Sequence, residues 1–141
     1  MIRAARCCAA GTAEGIALVL AQELSFWGGL DVATGRIIDH SHPDRGRSMA
    51  GRILVMPGGR GSSSSSSVLA EAIRRGTGPA GIVLARPDPI VTVGALVAAS
   101  LYALSCPVVV CAIDGIATDE RLRIAADGAG AVLQRLAAGE E

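Results

Sequence analysis

The sequence predicts a small α/β domain: a parallel strand–helix–strand–helix–strand core with additional strands at both ends. Three observations predict it. Apolar, strand-length runs occur at residues 53–56, 81–85 and 107–111. The two segments between them carry helix punctuation: Arg74-Arg75-Gly76 closes the first, and Asp88-Pro89 opens the second. Strands that alternate with helices in this way pair in parallel through right-handed crossovers.

Each element has its own justification. Residues 1–8 read as a first strand. Residues 15–20, Gly-Ile-Ala-Leu-Val-Leu, read as a second, although period alone does not separate them from a piece of helix. Phe26 and Trp27 stand against Gly28 and Gly29, which reads either as a core anchor beside a tight turn or as the wall of a ligand pocket. Residues 31–36 read as a turn, and 36–39 as a short strand. His40 and His42 would share a face on a strand, but no further ligand stands nearby, so a hydrogen-bonded loop is the favoured reading. After residues 53–56, a helix places Val68, Leu69, Ala72 and Ile73 on one face. A second helix, from Ile90 to about Ala103, is apolar on nearly all sides and must be buried within this domain or against another. Residues 121–125 and 131–133 flank Asp127-Gly128 as a closing hairpin, and the tail, residues 137–141, is expected to fray.

The totals bound the class. A chain of 141 residues suits one domain. Half of it is apolar, but Phe, Trp and Tyr occur once each, so the core is built from Ala, Val, Leu and Ile. The 13 basic residues, all arginine, balance 13 acids, and a neutral chain carries no electrostatic footprint for nucleic acid. Cys7, Cys8, Cys106 and Cys111 match no zinc or iron–sulfur spacing. They are read as buried free thiols in a reducing compartment, and no metal site is expected in this chain. Arg3 and Arg6 ahead of small apolar residues imitate a signal peptide, but the apolar stretch 16–21 is short and runs into Gln22 and Glu23, so export is not expected. No run approaches membrane-span length, and a cytoplasmic location is expected.

The chain is organised around Met56-Pro57-Gly58-Gly59-Arg60-Gly61 and the six serines 62–67. A strand leads in and a helix leads out. Glycines let the backbone turn sharply and approach a ligand. Free N–H groups at a helix start, together with Arg60, favour an anion. A Gly/Ser tract is more often a flexible linker, but this one is pinned between two apolar segments without a gap. Common nucleotide and esterase motifs fail: there is no lysine for a phosphate loop, Ser64 holds the third-glycine position of a dinucleotide loop, and no glycine–x–serine–x–glycine elbow occurs. Ligands in parallel sheets gather at the carboxyl ends of the strands, where this turn, Arg86, Asp88, Asp114 and Gly115 all fall.

Several stretches together resemble the small, swivelling subunit of the aconitase X family: 25–29 (Ser-Phe-Trp-Gly-Gly), 34–38 (Thr-Gly-Arg-Ile-Ile), His42-Pro43, 57–63, 86–90 (Arg-Pro-Asp-Pro-Ile) and the Asp127-Gly128 hairpin. The resemblance covers most of the chain. Gly58, where many relatives carry serine, and the unbroken serine run are departures, and neither touches Arg60-Gly61-Ser62. The resemblance implies an aconitase-like swivelling domain spanning 1–141. It implies one subunit of an iron-dependent hydro-lyase that is active only with a large catalytic partner. Iron, as an ion or an iron–sulfur cluster, would be held by that partner and act as Lewis acid on the leaving hydroxyl of a small β-hydroxy acid. By match, Ser62 is the base that takes the proton on carbon, with Ser63 beside it, and Arg60 and the helix start stabilise its anion. Arg60, Gly61, Ser63, Trp27, Gly28 and Gly29 are the expected substrate-binding residues. Two substrates compete, cis-3-hydroxy-L-proline and phosphomevalonate, and the lysine-free, Ala/Arg-rich composition favours the first. A non-catalytic anion-binding module and a purely structural partner subunit are the alternatives. Ser65, Ser66 and Ser67 are expected to tolerate alanine.

Overall fold

Residues 53–56 are buried on both faces of the chain, and two separate apolar layers form around them. The computed structural model describes residues 1–137. Its strands are β1 (Ile2–Ala9), β2 (Gly11–Val19), β3 (Leu30–Asp31), β4 (Arg36–Ile37), β5 (Ile53–Met56), β6 (Gly81–Leu84), β7 (Val108–Val110), β8 (Arg121–Asp127) and β9 (Gly130–Arg135), and its helices are α1 (Ser65–Arg75) and α2 (Pro89–Tyr102). The expected fraying of the tail falls on residues 138–141, which lie outside the described residues, and on Ala137.

Seven strands close into a barrel in the order β1-β7-β6-β5-β2-β8-β9. β5, β6 and β7 pair in parallel, joined through α1 and α2. They do not stand as a small core with strands appended at its ends. β2 extends the parallel run through residues 17–19, paired with β5, while its residues 11–16 pair antiparallel with β8. β1 does the same on the other side: residues 2–5 pair with β9 and residues 6–9 with β7. Two strands long enough to serve two neighbours each turn an α/β sheet into a closed mixed one, and closure leaves no sheet edge unpaired. β3 and β4 form a separate two-stranded ribbon.

Period-two alternation assigns the layers. Ile53, Val55, Val83 and Val109 point into the barrel with Leu122, Ile124 and Leu133. Leu54, Met56, Ile82 and Leu84 point outward, against Leu69, Ile73, Val91 and Ala95 of the helices. α1 buries Leu69, Ala70, Ala72 and Ile73 and ends with Arg74, Arg75 and a left-handed Gly76 whose N–H returns to Ala72 and Ile73. α2 buries Val91, Gly94, Ala95 and Ala98 but leaves Val93, Leu96 and Leu101 exposed. Its uniformly apolar face is therefore only partly covered within this chain. Of the adjacent aromatics, Phe26 enters the core and Trp27 remains 60% exposed. His42 is buried in its loop: Nδ1 accepts from the Asp44 N–H at 3.0 Å, which leaves Nε2 to donate to the Gln22 carbonyl at 3.3 Å.

Candidate functional site at the carboxyl edge of the parallel strands

β5 ends at Met56, and its chain turns over the carboxyl edge of the sheet before entering α1. Two carbonyl bonds fix the start of that turn beside the end of β6: Ala85 N–H to Met56 O at 3.3 Å and Arg86 N–H to Pro57 O at 3.2 Å. Asp88 fixes its middle. One carboxylate oxygen caps α2, accepting from Ile90 and Val91 N–H at 2.9 and 3.1 Å; the other accepts the Gly59 N–H at 2.9 Å. A side chain at Gly59 would place its Cβ 2.5 Å from that oxygen, so glycine here is a consequence of close approach. Arg60 N–H bonds the Leu24 carbonyl at 3.3 Å, joining the turn to the segment that follows β2. Gly61 takes a left-handed φ of 95°, and its missing Cβ would lie 2.5 Å from Ser25 Oγ.

The serines then divide. Ser62, Ser63 and Ser64 form an exposed turn, and α1 begins only at Ser65. Ser62 thus stands ahead of the helix and not on its first turn. Its Oγ accepts the Ser64 N–H at 3.1 Å. The N–H groups of Gly61, Ser62 and Ser63 find no acceptor among the described residues. A hydroxyl that receives an N–H, beside further free N–H groups, sits where negative charge on oxygen is favoured.

Ser65 and Ser66 have other work. Ser65 is buried at 4% exposure; its Oγ accepts the Trp27 N–H at 3.0 Å and lies 3.4 Å from Ser25 Oγ. Ser66 Oγ donates to the Ile90 carbonyl at 2.7 Å, tying α1 to α2. The expectation that both tolerate alanine is therefore corrected: each side chain makes a tertiary hydrogen bond. Helical phase was the available signal, since Ser65 and Ser66 precede buried Leu69 and Ala70 by four residues. Ser67 is exposed.

Through Ser65, the structure brings the Trp27 loop to the serine turn. Gly28 and Gly29 complete that loop, with Gly29 N–H on the Phe26 carbonyl at 3.3 Å and Ile38 N–H on Gly29 O at 2.9 Å. On the other side of the turn, Arg60 and Pro57 share an open cleft of about 390 Å³ with Ala21, Gln22 and Glu23. Arg60 is half-exposed, and its Nη2 faces Asp39 Oδ2 at 3.3 Å. Asp39 is a partner the sequence did not reveal. The hydroxyl and N–H of Ser41 at 2.8 and 2.9 Å, and then Arg60, hold its carboxyl below the ordinary range. Glu23 pairs with Arg86 at the cleft wall.

Among the described residues no group of three or more His, Cys, Asp or Glu could hold a metal ion. The cysteines are free thiols. Cys106 is pushed up to about 12 by burial, so it stays a neutral thiol at physiological pH.

A family model described as the aconitase X swivel domain matches residues 2–133. The cis-3-hydroxy-L-proline dehydratase of Pseudomonas aeruginosa is 48% identical over 99 residues, 70% of this chain and 17% of that protein. The phosphomevalonate dehydratase small subunit of Methanopyrus kandleri is 52% identical over 81 residues, 57% of this chain and 60% of that one. The chain thus aligns with about a sixth of the first relative and three fifths of the second. The crystal structure of Thermococcus kodakaraensis aconitase X superposes with a TM-score of 0.86 at 30% identity, covering 97% of this chain and 99% of that chain.

Proposed function

From the premise that this chain belongs to the aconitase X swivel-domain family, we propose that it is the small subunit of a hydro-lyase and supplies the base, Ser62, to a reaction completed with a large partner subunit. The whole of 1–141 is one swivelling domain in this reading. The iron, as ion or cluster, belongs to the large subunit, and the complex is a cytoplasmic heterodimer or a higher assembly of it.

What carries the reading is the environment of Ser62 Oγ: an N–H from Ser64 at 3.1 Å, with the Gly61, Ser62 and Ser63 N–H groups still free. A serine hydroxyl is a poor base near neutral pH, and the Ser64 N–H donated to its oxygen favours the alkoxide. That alkoxide takes the proton on the carbon next to the substrate carboxylate. The electron pair left behind forms the double bond as the β-hydroxyl departs as hydroxide; that hydroxide and the proton taken by Ser62 together make the one water lost, which restores the alkoxide with no redox change. Ser63 Oγ receives no such bond, which favours Ser62 between the two. Arg60 has a planar fork suited to a carboxylate, and Asp39 sets its orientation. Trp27, Gly28 and Gly29, held to the serine turn through Ser65, do not line the Arg60 cleft, and in this reading they contribute to the substrate site only once the large subunit closes it.

The substrate we assign is cis-3-hydroxy-L-proline, supported by the longer match to that relative, 70% of the chain against 57%; phosphomevalonate is the alternative. The test is reconstitution of this chain with its large partner and assay on both compounds. Dehydration of hydroxyproline that needs both chains is the expected result. Turnover of phosphomevalonate alone would overturn the substrate. Turnover of neither, with a phosphorylated ligand bound by this chain alone, would replace the enzyme reading by an anion-binding module.

A further inference from the structure

The hydroxyls of Ser25 and Ser65 close a ring with the backbone N–H and C=O of one residue, Trp27. Ser25 Oγ donates to the Trp27 carbonyl at 3.1 Å. Ser65 Oγ accepts the Trp27 N–H at 3.0 Å. The two hydroxyl oxygens are 3.4 Å apart. Ser25 has already committed its single proton, so the remaining contact must be donated by Ser65. The order is then Trp27 N–H to Ser65, Ser65 to Ser25, and Ser25 to Trp27 O, with every donor facing an acceptor. Such a chain of hydrogen bonds reinforces itself where water is excluded; the ring meets that condition at its buried Ser65 end, while the Ser25 to Trp27 carbonyl bond is exposed.

The ring is a second tie between two segments that the Arg60 N–H to Leu24 carbonyl bond already joins. Trp27 lies in the loop after β2, and Ser65 is the first residue of α1. Gly61 rests on the ring as well, since a Cβ there would lie 2.5 Å from Ser25 Oγ. Ser62 is therefore one residue from a backbone atom packed on the ring and three residues from a member of it.

We infer that Ser25 and Ser65 are positioning residues: a two-hydroxyl clamp that locks the Trp27 wall to the serine turn so that Ser62 and Trp27 meet the substrate as one rigid unit. The inference rests on the reading of Ser62 as base, and it adds residues that act through Ser62 and Trp27 without touching substrate.

Trp27 is the chain's single tryptophan, so its fluorescence reports the clamp without any assay of turnover. Time-resolved anisotropy of the full chain is compared for wild type, Ser25→Ala, Ser65→Ala and Ser66→Ala. The last removes a hydrogen bond of the same kind, to the Ile90 carbonyl, away from the ring. A fast local component is expected in the first two variants and not in Ser66→Ala. In the reconstituted enzyme, Ser65→Ala and Ser25→Ala are expected to lower kcat by ~10- to 100-fold, the scale of a misplaced reacting group, with Ser66→Ala near wild type. Anisotropy unchanged in both ring variants overturns the clamp. A fast component with kcat equal to that of Ser66→Ala overturns its positioning role. Wild-type turnover by Ser62→Ala removes the base reading, and the anisotropy still decides the clamp on its own.

Discussion

Ser65, Ser66 and Ser67 differ only in where the first turn of α1 points them, and their stability effects should differ accordingly. Ser65→Ala leaves the part-buried Trp27 N–H without its acceptor, and Ser66→Ala removes the donor to Ile90 O. Each should destabilise the domain by about 1–3 kcal/mol, whereas Ser67→Ala at its exposed position should stay within about 0.5 kcal/mol. Urea unfolding midpoints at constant slope measure this; three equal midpoints would contradict it. Six identical letters hid the distinction in the sequence, because a serine that closes a turn, one that bonds a distant peptide and one that faces water are spelled alike. Asp39 was hidden for a different reason: its partner Arg60 is on another segment, and pairing across segments leaves no local pattern.

At the scale of elements, the β2–β8 pair carries a charged patch whose titration can be followed. Glu14 lies opposite Arg123 across the strands. Its carboxylate takes paired N–H donors from Arg123 at 2.8 and 3.0 Å and from Arg121 at 3.1 and 3.3 Å. Arg123 and then Arg121 hold its pKa below the ordinary value. A carboxyl lowered in the folded state contributes stability above its unfolded pKa and loses it as pH falls through the folded one. Asp39 acts in the same sense. Stability should therefore fall as pH drops below the ordinary carboxyl range of about 4, and Glu14→Gln should flatten that acid limb in thermal melts between pH 6 and 3. An acid limb unchanged by Glu14→Gln would contradict the pairing. Elements bounded by their own punctuation were legible: Arg75-Gly76, Asp88-Pro89 and the Asp127-Gly128 turn mark ends through local backbone chemistry. The first half of β2, residues 11–14, was not, because Gly-Thr-Ala-Glu has no apolar run and owes its strand conformation to pairing with β8.

On the scale of the whole molecule, closure of the barrel depends on β1 and β2 each changing partner midway. That is a property of contacts far apart in sequence, so the alternation of helix and strand predicted a parallel segment and was silent on the closed sheet around it. The turn at its carboxyl edge was more legible than the sheet, because glycines, a single arginine and serines must follow one another locally to make such a turn. The same turn is open: Ser62, Ser63 and Ser64 are exposed, and the cleft beside Arg60 has one built wall. With no donor cluster for a metal among the described residues, the isolated chain is expected to bind no iron and to show no dehydratase activity. Elemental analysis finding near-stoichiometric iron in the purified chain would refute this.

The most direct measurement is turnover by the reconstituted complex carrying Ser62→Ala, with Ser62→Ala/Ser63→Ala beside it to exclude substitution by the neighbouring hydroxyl. Alanine removes the base without adding bulk, and Ser62 makes no hydrogen bond beyond the turn itself, so assembly and substrate binding should persist. Loss of a positioned base is expected to lower the rate by on the order of 10²–10⁴, with little change in substrate affinity. Wild-type turnover by both variants would contradict the assignment of the base to this turn.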